Sequence, residues 1–418
     1  MTQPLATQSG KPRVVITGLG CITALGNNVA AFGDNLFAGR CGIGDMTEAH
    51  LGLHFTRAAV VRDFRPEDAL LASQRQLADR SAAFAIVAAR QAVTQSGLIA
   101  AYPVESLAVL FGCSAGGRLS EEHEAAKLYT RNARVHPLTV PRTMANAGTS
   151  LVAMEHGITG PSLTLSTACA SSTHAVGLAF QMIRSGSIRA ALAGGHEAPL
   201  GFAFLRAWDS LKVVSPIACR PFARDRDGMT LGEGAAVFAL ETLESAQARG
   251  AEILAEIAGF GMSSDAHHIT QPDPAGPAAA MLRALDDAHA SPADVGYINA
   301  HGTATDTNDR VEAEAIHRVF GERARTLPVS STKGLHGHAI GASGAIELLA
   351  TVLALREQRL PANACENGPI EPDPALNLNH ILLTNEPAAP SQLALSNSFA
   401  FGGMNAVLAL RPWSAEQA

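Results

Sequence analysis

Short apolar runs that stop at glycine or at a cluster of small residues recur along this chain, and their order constrains the fold more than any other feature. VVIT (14–17) runs into GLG, LAVLF (107–111) into GCSAGG, LTLS (163–166) into TACASS and AALA (190–193) into GGHE. Between them lie alanine-rich, proline-free stretches such as 80–95 and 172–185, long enough to be helices. Strands alternating with helices predict a mostly parallel sheet covered on both faces. The order then returns. ILAEIA (253–258) runs into GFG, YINA (297–300) into HGTATDTND, and LPVS (327–330) into STKGLHGH and a helix over about 342–356. Identity between the two passes is slight, so the pattern repeats rather than the letters. The chain therefore reads as two similar α/β halves, 1–250 and 251–418, with a site fed by loops from both. The Pro- and Asn-rich stretch 361–390 reads as a loop-dominated excursion before the last strands.

Composition supports a large buried core, with 47% hydrophobic and only 17% charged residues. The formal net charge of -7, without any Lys/Arg-rich block, argues against a nucleic-acid partner. The six cysteines form no CxxC pair, which argues against a zinc cluster or redox dithiol. The leading MTQPLATQSGKPR is polar and no apolar run reaches membrane-spanning length. These features predict a cytoplasmic chain without a membrane span, its thiols reduced.

Four segments carry chemistry. In TLSTACASSTHAVG, Cys169 falls where a helix should begin after a strand, and a helix N-terminus favours thiolate. Its small neighbours leave room for a substrate, although a buried structural cysteine is the usual alternative. In YINAHGTATDTND, His301 follows a strand and can donate a hydrogen bond or move a proton near neutral pH. Thr303 and Thr305 offer hydroxyls to an amide-bearing ligand, while a cap on the following turn is the plainer role for this segment. In SSTKGLHGHAIGASGAIE, Lys333, His336 and His338 share a glycine-rich turn before a helix bearing Glu347. A metal on His336 and His338 would lack further ligands at the usual spacings, so no metal is expected. In LALSNSFAFGGMNAVLAL, two apolar runs flank a glycine turn as in a hairpin, with Phe399 and Phe401 on either side of Ala400. Backbone N–H groups there could face an oxyanion.

TACASS, HGTAT, the KxxxGH turn and NSFxFGGxN stand in the order found in β-ketoacyl-[acyl carrier protein] synthases of the type I/II group, which the chain resembles from VVITGLG to FGGMN. The resemblance implies a thiolase-like fold, two duplicated α/β halves in a layered α-β-α-β-α arrangement. It implies Cys169 as nucleophile, His301 and His338 as catalytic histidines, and Lys333 and Glu347 ordering the site. The N–H groups of Cys169 and Phe401 would form the oxyanion hole, with Phe401 also the gate. Thr303 and Thr305 would contact the pantetheine arm, and Ala115, Phe202 and Phe399 the substrate. The implied reaction is decarboxylative condensation of an acyl thioester with malonyl-[acyl carrier protein], with no free cofactor. Acyl carrier protein is the implied partner, docked on Arg65, Arg131, Arg134 or Arg206. The subunit would be a homodimer, or a heterodimer with a related ketosynthase or chain-length-factor subunit.

Departures from the usual type II pattern carry their own expectations. Ala115 replaces a bulkier isoleucine and predicts a wider acyl tunnel. Gly334, His336, Met404 and Ala400 make the turn similar to nodulation-factor or aryl polyene ketosynthases, which points to specialised lipid or polyene synthesis. FGGMN lacks the second cysteine a thiolase needs, and Cys169 with two histidines argues against a non-elongating partner subunit.

Overall fold

The computed structural model describes residues 10–46, 52–366, 368–389 and 392–413. Its main sheet contains β1 (Val14–Thr23), β2 (Leu107–Gly112), β3 (Ser162–Leu165), β4 (Ala190–Glu197), β5 (Gly234–Thr242), β6 (Ala255–Ser264), β7 (Val295–Asn299), β8 (Val329–Ser330), β9 (Leu393–Ala400) and β10 (Met404–Arg411). The helices that frame the site are α1 (Arg80–Ser96), α2 (Arg118–Arg131), α3 (Ser171–Arg184), α4 (Phe202–Leu211), α5 (Ala275–Asp287), α6 (Asp306–Phe320), α7 (Lys333–His336) and α8 (Ser343–Arg356).

The strand order is β8-β7-β9-β10-β6-β1-β5-β4-β2-β3. Reading outward from the centre, β1-β5-β4-β2-β3 and β6-β10-β9-β7-β8 are the same order twice. The two sets join where Val14, Val15 and Ile16 pair antiparallel with Ile257, Glu256 and Ala255. The sheet is mixed rather than mostly parallel. β2 runs parallel to β3 and β4, and β7 to β8 and β9, but β5 and β10 each return antiparallel to both neighbours. The last strand of each set follows its predecessor without a crossover helix packed on the sheet in parallel sense, and β9–β10 is a hairpin closed by the FGG turn.

The GLG and GFG signals lie inside strands, not at their ends. A Cβ on Gly18 or Gly20 would sit 2.3 or 1.9 Å from the carbonyl oxygens of Ala92 or Ala88 in α1. Gly259 and Gly261 meet Ala284 and Ala280 of α5 in the same way, at 2.3 and 2.1 Å. The missing side chains let an outer helix lie directly on each set of strands. The central helices α3 and α8 pack against each other and against strands of both sets, giving the layered α-β-α-β-α arrangement. Residues 343–355 of α8 are all buried, as expected of a helix apolar nearly all round. The bend bearing Cys169 leads into α3, and the turn bearing His338 leads into α8.

Candidate active site

β3 ends at Leu165 and α3 begins at Ser171, so Cys169 sits on the bend between them. Ala168 holds the left-handed region at φ 49°, a conformation that costs roughly 1–2 kcal/mol for a residue with a Cβ. Ser171 secures the bend: its Oγ accepts the Thr167 N–H at 2.9 Å and donates to the Ala168 carbonyl at 2.6 Å. The bend aims the thiol into a cavity of about 430 Å³ lined also by His301, His338, Thr303, Thr305, Phe399 and Phe401. Backbone N–H groups of Cys169 and Phe401 both bear on the sulfur. Burial nevertheless pushes the thiol up to about 12, against the opposing charge of Lys333. Burial thus outweighs the thiolate-favouring position at the start of the helix. At neutral pH this cysteine holds its proton and needs a base.

His338 is placed to act as one. Its Nε2 lies 3.0 Å from Cys169 Sγ, and its Nδ1 lies 2.7 Å from Ser343 Oγ at the start of α8. The His301 ring is edge-on to that of His338, centroids 5.5 Å apart, and packs on Phe399 at 6.2 Å. Burial first, then the charge of Lys333, holds both imidazoles well below the ordinary histidine value, so both are neutral.

Lys333, fully buried on α7, has three acceptors for its three N–H groups: Glu347 Oε1, the His301 carbonyl and His301 Nδ1 at 3.3 Å. An ammonium can only donate, so it fixes the proton of neutral His301 on Nε2. Burial raises the Glu347 carboxyl to about 7, against the pull of Lys333. Glu312 is a residue the sequence reading missed. Its carboxylate accepts the N–H groups of His301 and Gly302 at 2.9 and 2.8 Å and a bond from Asn397 at 3.1 Å, pinning the loop that carries His301.

A thiol beside one imidazole, with a second imidazole and two backbone donors around the same space, suits acyl transfer and enolate stabilisation. The sequence matches the model of the β-ketoacyl synthase N-terminal domain over residues 11–246 and that of the C-terminal domain over 254–365. The chain belongs to the β-ketoacyl synthase family. It is 42% identical to nodulation protein E of Rhizobium sp. (strain N33), over 96% of this chain and 99% of that protein. It is 39% identical to the 3-oxoacyl-[acyl-carrier-protein] synthase 2 of Synechocystis sp., over 96% and 99%. Among solved structures, the ishigamide ketosynthase/chain length factor superposes with a TM-score of 0.91 at 32% identity, covering 97% of this chain and 100% of that one. The thiolase-like fold and the 3-oxoacyl-[acyl-carrier-protein] synthase assignment read from the four segments both stand.

In this ketosynthase, Thr303 and Thr305 share a hydroxyl–hydroxyl bond of 2.8 Å on the cavity wall, and Thr305 also caps α6. Ala115 and Phe202 do not line the cavity. Ala115 lies in the loop after β2, its N–H held by buried Glu197 at 3.0 Å, and Phe202 is an exposed residue opening α4. His336 is a structural residue. It donates from Nδ1 to the Gly337 carbonyl and accepts from Thr332 at Nε2, each at 2.8 Å. Burial lowers it to about 3. Arg65, Arg131 and Arg134 are exposed and lie outside the cavity lining. Arg206 is half exposed, bonded to the Gly52 carbonyl, 3.5 Å from Asp209 and packed on the Phe202 ring. Lys212, just past α4, lines the cavity itself.

Among the described residues one group has metal-ligand chemistry. Cys169, His301 and His338 offer atoms within 4.8 Å of one another. Behind Lys333, Glu347 Oε2, Asn299 Oδ1 and Ser396 Oγ are buried without hydrogen-bond partners. Asn299 pairs with Ser396 across β7 and β9 and donates to the Glu347 carbonyl. Among the described residues no helix is long and apolar enough to cross a membrane.

Proposed function

We propose that Cys169 accepts an acyl group from a carrier-protein thioester and passes it to the enolate of a malonyl-carrier, releasing CO2 and a 3-oxoacyl-carrier. The Cys169–His338 contact of 3.0 Å, beside a second neutral imidazole in one cavity, is the observation that supports it best. In the first half-reaction, His338 Nε2 takes the thiol proton as sulfur attacks the acyl carbon, and returns it to the departing carrier thiolate. In the second half, His301 Nε2–H and His338, re-tautomerised against the Ser343 hydroxyl, donate to the malonyl thioester oxygen. The carbon–carboxylate bond breaks, CO2 leaves, and the enolate carbon attacks the acyl-Cys169 carbon. The new carbon–carbon bond forms, the oxyanion rests on the N–H groups of Cys169 and Phe401, and the Cys169 sulfur departs. Each donor aimed at such developing charge supplies about 3–4 kcal/mol.

The N-terminal half, 1–250, would carry the nucleophile and the C-terminal half, 251–418, both histidines, a division the repeated strand order supports. The relation to nodulation protein E, with the KGLHGH turn, Ala400 and Met404, supports a specialised lipid or polyene substrate. The carrier would arrive on its phosphopantetheine arm and dock on Arg65, Arg131, Arg134 or Arg206, in the cytoplasm. The subunit would pair with itself or with a chain-length-factor subunit, as in the similar ishigamide structure.

The test is intact mass after incubation with acyl-carrier thioesters of graded length, with Cys169→Ala as control, then addition of malonyl-carrier. An adduct on Cys169 that the malonyl-carrier consumes supports the reading. Absence of any adduct, alone or with a partner subunit, overturns it in favour of a non-elongating subunit.

A further inference from the structure

The gate residue Phe401 does not stand alone. Its ring lies on the indole of Trp208, centroids 6.0 Å apart and planes 22° from parallel. Phe401 is 38% exposed, whereas Trp208 is buried and lines the same cavity as Cys169. The indole is a fixed platform. It is part of a buried cluster with Leu205, Met229 and Ile340. Phe204, one turn earlier on α4, meets it edge-on at 6.1 Å, and the Arg118 guanidinium covers the Phe204 ring at 5.4 Å. Glu122 of α2 caps the start of α4 through the N–H groups of Ala203 and Phe204, at 3.0 and 3.1 Å. The turn beyond Phe401 is different in kind. Gly402 and Gly403 both have positive φ, 83° and 71°, and single backbone bonds join them to Ile269 and Asp265. Phe401 thus sits between a rigid aromatic wall and a two-glycine turn.

We propose that Trp208 is a positioning residue for the condensation: by stacking on Phe401 it holds that residue's N–H on the Cys169 sulfur and its ring at the cavity wall. The two glycines after Phe401 let its backbone shift when the ring loses its support, and a shifted backbone moves the oxyanion donor off the sulfur. The proposal rests on the reading of Cys169 as nucleophile and adds a residue that no sequence motif marks.

The test is a double-mutant cycle of Trp208→Ala with Phe401→Ala, with Trp208→Phe as the conservative variant. Two rates are measured: turnover, and alkylation of Cys169 by iodoacetamide followed by peptide mass spectrometry. Alkylation requires no carrier or malonyl group, so it reports on the stack even if the condensing reaction is refuted by an absent acyl adduct. An aromatic stack shifts a conformational equilibrium by about two- to tenfold. Trp208→Ala should change both rates by that factor, act on kcat rather than on the KM for malonyl-carrier, and add nothing to Phe401→Ala. Trp208→Phe, which keeps a ring under Phe401, should restore both. Additive effects in folded variants, or a Trp208→Phe variant no better than Trp208→Ala, would overturn the proposal.

Discussion

Replacing Lys333 by methionine separates two tasks that one side chain performs. Its nitrogen is fully buried and divided among Glu347, the His301 carbonyl and His301 Nδ1. Removing one partner of a buried ion pair costs about 3–5 kcal/mol, because the other charge stays buried and uncompensated. The sign with pH follows from Glu347. Burial already raises its carboxyl, Lys333 opposes that rise, and the variant raises it further. A folded-state value above the unfolded one means that the penalty is absent below the ordinary carboxyl value of 4.5 and grows as pH rises towards the folded value. Urea unfolding should therefore show Lys333→Met close to wild type near about pH 4.5 and weaker by roughly 1–2 kcal/mol at about pH 8, because wild-type Glu347 already carries part of the same penalty and protonation caps the rest. The double variant Lys333→Met/Glu347→Met removes both charges and should recover most of that stability. It should not recover rate, because nothing then fixes the His301 proton on Nε2, and losing one aimed donor costs about 10²–10³ in turnover. Decarboxylation of malonyl-carrier, followed by CO2 release, reads this step apart from acyl transfer. A stable double variant with near-wild-type decarboxylation would refute the claim that Lys333 sets the tautomer of His301.

Glu312→Gln removes one of the two acceptors that hold the N–H groups of His301 and Gly302; turnover should fall about tenfold with acylation of Cys169 little changed, as single-turnover kinetics would show. Ala115 lies outside the cavity that holds Cys169, so Ala115→Ile should leave the longest acyl chain accepted unchanged, and a shortened product profile by mass spectrometry would extend the acyl tunnel to the loop after β2. Both histidines are held neutral well below the ordinary value, so a pH–rate profile should show no acid-side loss centred on a normal histidine near 6.5. A half-maximal rate at that pH would mean that one imidazole is far more exposed to solvent than its burial indicates.

The repeat of pattern was legible because strand and helix periodicities are local, and so were the four segments around Cys169, His301, Lys333 and Phe401. What a strand does after its first glycine was not. Gly18 and Gly20 look like terminators in a line of letters, yet they continue β1 because α1 lies against them, a contact between residues some 70 positions apart. The antiparallel return of β5 was hidden for the same reason, whereas that of β10 was legible in its glycine-turn hairpin. Glu312 left a faint signal. Asp309, Glu312, Ala313, Ile316 and Phe320 share the buried face of α6, so two carboxylates stand where an amphipathic helix should be apolar. Trp208 left none, because its partner is almost 200 residues away and aromatic side chains in helices usually fill core.

The seam at Val14–Ile16 and Ala255–Ile257 has a bearing on ancestry. Two antiparallel strands of corresponding rank meet there, as they would around a two-fold axis. A single half on its own would present α3 or α8 with one side bare, and the most economical cover for it is the same helix from a second copy. The present chain thus has the arrangement of a symmetric dimer of halves, with the bend bearing Cys169 in one half answered in the other by the turn bearing Lys333 and His338.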